Sequence, residues 1–391
     1  MSETITYLKQ QVRKNIQTYA IILAMIVIWI LFSFLTEGRY IGAQNISNLF
    51  RQMVITSFLA IGMVLVMVTG NIDLSVGKLA GFVSVVVAQF QANIWFHYIP
   101  NRELLTTVFS VLIGIAVGTI FEVLQGYLIS YLHIPAFIVT LGGQWALNGG
   151  IMIITEGKTI PANQPLFSVI AQGYLSPNIG WVFAGVVILF MVFSTLQGRR
   201  NKIKYGFKPL PMLIEVLRLI ALAALIVIYV AIVNNYNGVQ IPVMLLAITA
   251  VIMSYVSTNT PVGRYAYAIG GNREAARLSG VNISKNVFNI FVLMGLMSGI
   301  SGVVLASYVG YGTIAAGQGY ELDAIASTVL GGTSTLGGIG TIFGAIIGSL
   351  IIASLTSGLQ MMNVPAAWQY VLKGIVLVVA VYADVYLKKN R

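Results

Sequence analysis

The sequence predicts an all-α polytopic membrane protein with about twelve transmembrane segments. Three observations carry that expectation. Of the 391 residues, 58% are hydrophobic and only 8% charged, where soluble domains carry roughly 25% charged residues. The apolar residues fall in runs of roughly 17–25, long enough to cross the hydrocarbon core as helices. Lys and Arg collect in a few short connections, the pattern of cytoplasmic loops. That clustering accounts for the net charge of +11, which in a soluble chain would suggest nucleic acid; no nucleic-acid role is expected here. There is no Cys, so neither a disulfide nor a thiolate metal site can form.

Taken in order, Lys9, Arg13 and Lys14 precede the first apolar run, 18–36. It ends in Thr36-Glu37-Gly38-Arg39 with no small-x-small cleavage site, so it reads as a retained span leaving a cytoplasmic N-terminus, 1–17. The polar stretch GRYIGAQNISNLFRQ is an outer loop, and span 2 covers 53–69. NIDLSVGK turns on the inside, and span 3 follows over 75–94. Spans 4 (104–122) and 5 (136–155) flank a loop around Gln125 to His133. An outer loop, 156–178, with three prolines leads to span 6, 179–196. RRNKIKYGFK (199–208), the strongest basic cluster, marks the cytoplasm. Spans 7 (213–233) and 8 (242–258) follow, joined outside by NNYNG. A polar, charged segment, 259–285, returns to the cytoplasm before span 9, 286–309. Span 10, 322–335, is too short to cross alone; spans 11 (339–358) and 12 (368–387) complete the set. Lys388, Lys389 and Arg391 close the chain inside. Basic residues outside reduce to Arg39, Arg51, Arg102 and Lys158, which fits a multi-pass protein with both termini in the cytoplasm.

The chain reads as one transmembrane unit with an internal echo. Asn71-Ile72-Asp73-Leu74-Ser75 resembles Glu321-Leu322-Asp323-Ala324, and Ile134-Pro135-Ala136-Phe137 resembles Val364-Pro365-Ala366-Ala367. Spans 2–5 (53–155) and 9–12 (286–387) are then two halves that start from opposite sides, an inverted repeat.

One polar stretch, Ala268 to Asn282, carries helix punctuation at both ends. Asn272 is a good N-cap, and Gly270 and Gly271 break what precedes it. Glu274 in the first turn and Arg277 near the last suit the helix dipole. Gly280 can close the helix in a left-handed conformation. The result is a helix of about two turns, 273–279, lying outside the membrane. Its small face, Ala275, Ala276 and Leu278, could be closely approached by another protein; the plainer alternative is a solvated loop helix.

No catalytic set is present, and no cofactor or metal is expected. His97 and His133 are isolated, without metal-ligand spacing. No Walker-type loop exists: Gly77-Lys78 is followed by Leu79, and Ile72 stands where the first Gly is needed. Energy from nucleotide must therefore come from a partner. Asp73, Glu122, Asp323 and Asp384 are the acids within the hydrophobic pattern, and ionisable groups at membrane depth point to function. Asp73 and Asp323 lie at span ends, where they either cap helices or meet the transported solute. Thr140, Gln144 and Asn148 fall at i, i+4 and i+8 on one face of span 5, with Trp145 beside them. Such a stripe suits a polyhydroxylated solute, or else hydrogen bonds between spans. The Gly-rich runs 141–150 and 331–340 permit either close packing or broken helices beside a pathway.

NISNLFRQ (45–52), GNIDLSVGK (70–78), IPAFIVTLGG (134–143), AIGGNREAARLSGVN (268–282) and GYELDAIASTVLGGTSTLGG (319–338) together resemble the permease subunits of bacterial ABC sugar importers, the group with the ribose, galactose and xylose permeases. The likeness covers nearly the whole chain after the first span. An additional two-span segment, 180–235, departs from the ribose type and makes the chain more similar to the D-xylose type. The resemblance implies a type II importer permease fold in the inner membrane, a homodimer around one pathway, and no catalytic activity. It also implies an ATP-binding subunit on the cytoplasmic side and a periplasmic or lipid-anchored sugar-binding protein outside. It assigns coupling to that ATPase to Gly271, Asn272, Glu274, Ala275, Ala276, Arg277 and Gly280. The pathway candidates are Asp73, Thr140, Gln144, Asn148 and Asp323. The solute expected is a monosaccharide, a pentose such as D-xylose. An ion-coupled secondary sugar carrier and a non-transporting receptor with a docking loop are the alternatives.

Overall fold

The computed structural model describes residues 16–99, 101–207, 209 and 211–389. Lys9, Arg13, Lys14, Arg391 and the side chain of Asp384 fall outside that description. The chain is helical almost throughout, because in hydrocarbon every backbone N–H and C=O must be satisfied within the segment. The helices are α1 (Ile16–Leu35), α2 (Ala43–Val68), α3 (Val76–Gln89), α4 (Glu103–Ser130), α5 (Ala136–Thr155), α6 (Pro165–Gln172), α7 (Pro177–Lys204) and α8 (Met212–Asn234). They continue as α9 (Ile241–Asn259), α10 (Pro261–Gly271), α11 (Arg273–Leu278), α12 (Ile283–Val309), α13 (Tyr320–Leu330), α14 (Ile342–Met361) and α15 (Ala366–Lys389). Two two-residue strands, Ile160–Pro161 and Tyr311–Gly312, pair antiparallel on the face opposite α11.

Burial sorts these helices. In α2, 83% of the most apolar stretch is buried, and in α12, 78%, against 11% in α7 and in α8. The first two are therefore the centre of the bundle, and the last two face lipid. Ser301 of α12 donates to the Ile55 carbonyl of α2 at 2.8 Å. Trp29 of α1 donates to Ser354 Oγ of α14 at 2.9 Å, which clasps the first helix to the core.

α4 and α12 cross in close contact made by glycines. A β-carbon on Gly118 would lie 2.7 Å from the Gly295 carbonyl oxygen and from the Gly299 backbone. One on Gly299 would lie 2.9 Å from the Gly114 oxygen. Gly114-x-x-x-Gly118 thus faces Gly295-x-x-x-Gly299, the small-residue pairing that replaces the missing hydrophobic drive between helices in lipid.

Several expected boundaries move. Among the described residues, eight helices are long and apolar enough to cross a membrane, and α1 and α15 add shorter apolar stretches. α13, counted among the twelve spans, has only 11 residues, whereas α3 runs on past Gln89 through a π-helical turn, Phe90–Ile94, into a last turn, Trp95–Tyr98, so the expected span 75–94 is helical from Val76 onward. NISNLFRQ belongs to α2 rather than an outer loop: Asn45 donates to the Tyr40 carbonyl at 2.7 Å, while Ile46 and Leu49 turn into the core. The loop expected at Gln125 to His133 is largely the last turns of α4, and α7 runs through the basic cluster to Lys204. α6 interrupts the 156–178 loop. What Gly270 and Gly271 break is a further helix, α10, which ends at Gly271 just before the extended Asn272. The Gly run 141–150 lies inside unbroken α5, whereas 331–341 is a true break between α13 and α14.

The packing predicts unequal tolerance of glycine substitution. Gly118→Leu should lower stability by more than about 2 kcal/mol through overpacking and reduce the melting temperature in detergent. Gly185→Leu on lipid-facing α7, where a β-carbon meets no atom within 4 Å, should leave it unchanged.

Candidate functional site

Polar chemistry gathers in three places. The first is α11. Asn272 has extended backbone (φ −157°, ψ 102°), and its Oδ1 accepts from the Ala275 N–H at 2.9 Å, the expected N-cap. Gly280 has φ +84°; its N–H donates to the Arg277 carbonyl, and Val281 N–H donates to that of Ala276. Together these close the helix in a Schellman motif. Arg277 donates to Glu274, with Nε at 3.1 Å from Oε1. Both side chains are about two-thirds exposed, so the pair adds no more than about 0.5 kcal/mol. Gly271, Asn272, Glu274, Ala275, Arg277 and Gly280 are all open to solvent. Ala276 is not: it turns inward, so the free face is built on Ala275 and Leu278 instead.

This helix is rigidly mounted. Asn286 of α12 donates to the Val262 carbonyl of α10 at 3.1 Å. Tyr267 of α10 donates to the Gly340 carbonyl at 2.8 Å, in the break before α14. Gly338 N–H donates to the Val68 carbonyl at the end of α2 at 2.9 Å. Gly270 lies against the same oxygen, where a β-carbon would come within 1.7 Å. α10, which leads directly into α11, is thus packed against the end of α2 and the 331–341 segment.

The second place is a buried clasp at the start of α3. Asp73 Oδ1 accepts from both the N–H and the hydroxyl of Ser75 at 2.8 Å, fixing the turn from α2. Ser75 Oγ also donates to Glu122 of α4 at 3.3 Å and accepts from Gln125 Nε2 at 2.8 Å. Asp73 and Glu122 are fully buried, and each keeps one oxygen without a partner.

The third place is α13, whose first turn carries Glu321 and Asp323, where acids suit the helix dipole. Glu321 reaches α5 by accepting from Gln144 Nε2 at 3.1 Å. Lys78 of α3 lies near enough for its charge to act on Glu321. Asp323 reaches α15 by pairing with Lys373 at 2.8 Å, both mostly buried. That ion pair lines a cavity of about 370 Å³ between α2, α13, α14 and α15, within the size range of small-molecule sites, roughly 300–1,000 Å³. Tyr320, Tyr370 and the amides of Gln52, Gln318 and Gln369 share the lining. The cavity offers paired charge, aromatic rings and many hydrogen-bonding groups, a set that suits a neutral polyhydroxylated solute.

The sequence-derived candidates thus separate. Asp73 joins Glu122, and Asp323 joins Lys373. Of the α5 stripe, Gln144 meets Glu321, Asn148 is half-buried, and Thr140 turns inward with only a 3.5 Å bond to the Phe137 carbonyl. Trp145 stays 71% exposed. Glu321, Lys78 and Lys373 were not among the candidates. A lysine in the middle of the last span was the available signal for Lys373; its partner 50 residues away was not.

Comparison with known proteins identifies the family. The family described as "Branched-chain amino acid transport system / permease component" matches residues 45–381. The xylose transport system permease protein XylH of Haemophilus influenzae is 41% identical over 96% of this chain and 98% of its own length. XylH of Escherichia coli is 39% identical over 96% of this chain and 93% of its own. The ribose import permease protein RbsC of Haemophilus influenzae is 28% identical over 93% and 92%. No solved structure matches. A family match over more than half of the chain, with relatives near 40% identity along almost all of it, makes the chain a member of this transport-permease family and a non-catalytic membrane subunit.

Proposed function

We propose that the chain is the permease of an ATP-driven importer that carries a monosaccharide, a pentose such as D-xylose, across the inner membrane. The observation that carries this is a capped, exposed helix bolted to the core of a chain that resembles xylose permeases end to end. Alternating access follows: an ATP-binding subunit grips α11 and, on closing, shifts α10, the end of α2 and the 331–341 segment together. The basic residues of the α11 end, among them Arg199, Lys202, Arg273 and Arg277, support a cytoplasmic assignment for that end. The opposite face then receives a sugar-binding protein, and two copies enclose one pathway. The starts of α3 and α13, each led by an acid-bearing segment, support an inverted repeat of 53–155 and 286–387 with the pathway at its interface. In this reading Gln144 with Glu321 and Asp323 with Lys373 are the sugar-facing groups on either side of α13; Thr140 and Asn148 line the same face of α5, and Asp73 holds the turn into α3.

A second reading is favoured by the buried Asp73–Glu122 clasp, since paired acids at membrane depth also serve proton- or sodium-coupled carriers. Sugar uptake by the purified chain alone, driven by an ion gradient, would establish it.

Two outcomes test the leading reading. Glu274→Ala with Arg277→Ala should leave insertion and melting temperature intact, since the exposed pair is worth less than about 1 kcal/mol. The same variant should abolish ATP-driven uptake in proteoliposomes holding the whole complex; wild-type uptake would refute the coupling role. Lys373→Met strands the buried Asp323 carboxylate and should cost about 3–5 kcal/mol. Adding Asp323→Leu should restore the melting temperature but not sugar uptake; restored uptake would reduce the pair to scaffold.

A further inference from the structure

The hairpin α7–α8 is joined to the core at one end only. On the face away from α11, Ala184, Val230, Val233 and Val239 pack with Ile46 of α2. There Gln240 donates to Ser47 Oγ at 2.7 Å and accepts from the Tyr229 hydroxyl. Toward the α11 end the helices part. A cavity of about 530 Å³ opens between α7, α8 and α9, with Phe343 of α14 among its lining residues. Phe190, Leu222 and Val251 supply its apolar walls. At its mouth stand Arg199 and Lys202 of α7 with Glu215 and Arg218 of α8. Arg199 and Glu215 form an ion pair at 2.7 Å. Three cations and one anion at the mouth sum to a net +2 (3 − 1).

We propose that this groove holds one anionic phospholipid of the leaflet on the α11 side. Its phosphate sits between Lys202 and Arg218, beside the Arg199–Glu215 pair, and an acyl chain runs along the apolar walls. The helices that form the groove face hydrocarbon, with α7 and α8 only 11% buried along their apolar stretches, so the molecules that meet it are lipids. Its cations lie at helix ends, the depth of the phosphate layer, where basic clusters between spans recruit acidic headgroups. The positive-inside bias and the dipole of α7 would explain the basic residues but not the groove beneath them. The lipid ties the free end of the hairpin to α9, whose residues Thr258 and Asn259 line the cavity immediately before Thr260 caps α10.

Native mass spectrometry of the purified, delipidated full chain tests this, using phosphatidylglycerol and phosphatidylcholine of the same acyl chains. The chain should retain phosphatidylglycerol under activation that strips phosphatidylcholine. Lys202→Gln with Arg218→Gln, both exposed, should lower that retention by more than about tenfold. Gly198→Trp keeps every charge and fills the groove, where a β-carbon meets no atom within 4 Å; it too should abolish retention at an unchanged melting temperature. Equal retention of phosphatidylcholine, wild-type retention in the double variant, or retention unaffected by Gly198→Trp would each overturn the site. Displacement of the lipid by inorganic phosphate would overturn it as well, leaving an anion site only.

Discussion

One backbone oxygen, that of Val68, joins α2, α10 and the break between α13 and α14. It ends α2, the most buried helix. It accepts from Gly338 in the break between α13 and α14, and Gly270 of α10 packs directly against it. No other residue type fits at Gly270 without separating α10 from α2, because the gap is smaller than a β-carbon. The central pillar, the mount of the polar α11 and the segment leading to the short α13 are thereby one mechanical unit. A rigid mount is what a lever needs: binding energy spent on α11 displaces a packed contact instead of bending a loop.

The membrane-embedded polarity is arranged around α13 in a matching way. At about 1.5 Å per residue, its 11 residues cannot span the bilayer. Glu321 and Asp323, two residues apart, then face different helices, toward Gln144 on α5 and toward Lys373 on α15. Both acids share a helix continuous with the 331–341 segment, which Tyr267 ties to α10. The acids of α13 and the exposed α11 are connected through a handful of named contacts.

Local signals were legible in the sequence and long-range ones were not. The cap at Asn272 and the closure at Gly280 depend on neighbours within a few residues, and both stand where their side chains and spacing place them. The bounds of α5 coincide with its apolar run for the same reason. The start of α2 was hidden because Asn45, Asn48 and Arg51 look like loop residues; they stay helical because Asn45 finds the Tyr40 carbonyl and Arg51 finds Asn48. The last turns of α4 were hidden because Glu122 and Gln125 are polar, and their partner Ser75 comes from another helix. α10 carries three glycines and gains its helical form from tertiary contact with Val68 and Asn286. The Asp323–Lys373 pair required the fold itself.

The most direct test of the central claim, that force enters at α11, is site-specific cross-linking in the whole transport complex. The chain has no native cysteine, so Leu278→Cys, 78% exposed, and Lys158→Cys on the opposite face give two clean probes. Leu278→Cys should cross-link to the ATP-binding partner, with a yield that changes when ATP is bound, while Lys158→Cys should not. A Leu278→Cys complex that transports normally without forming that cross-link, or forms it with no response to ATP, would contradict the account.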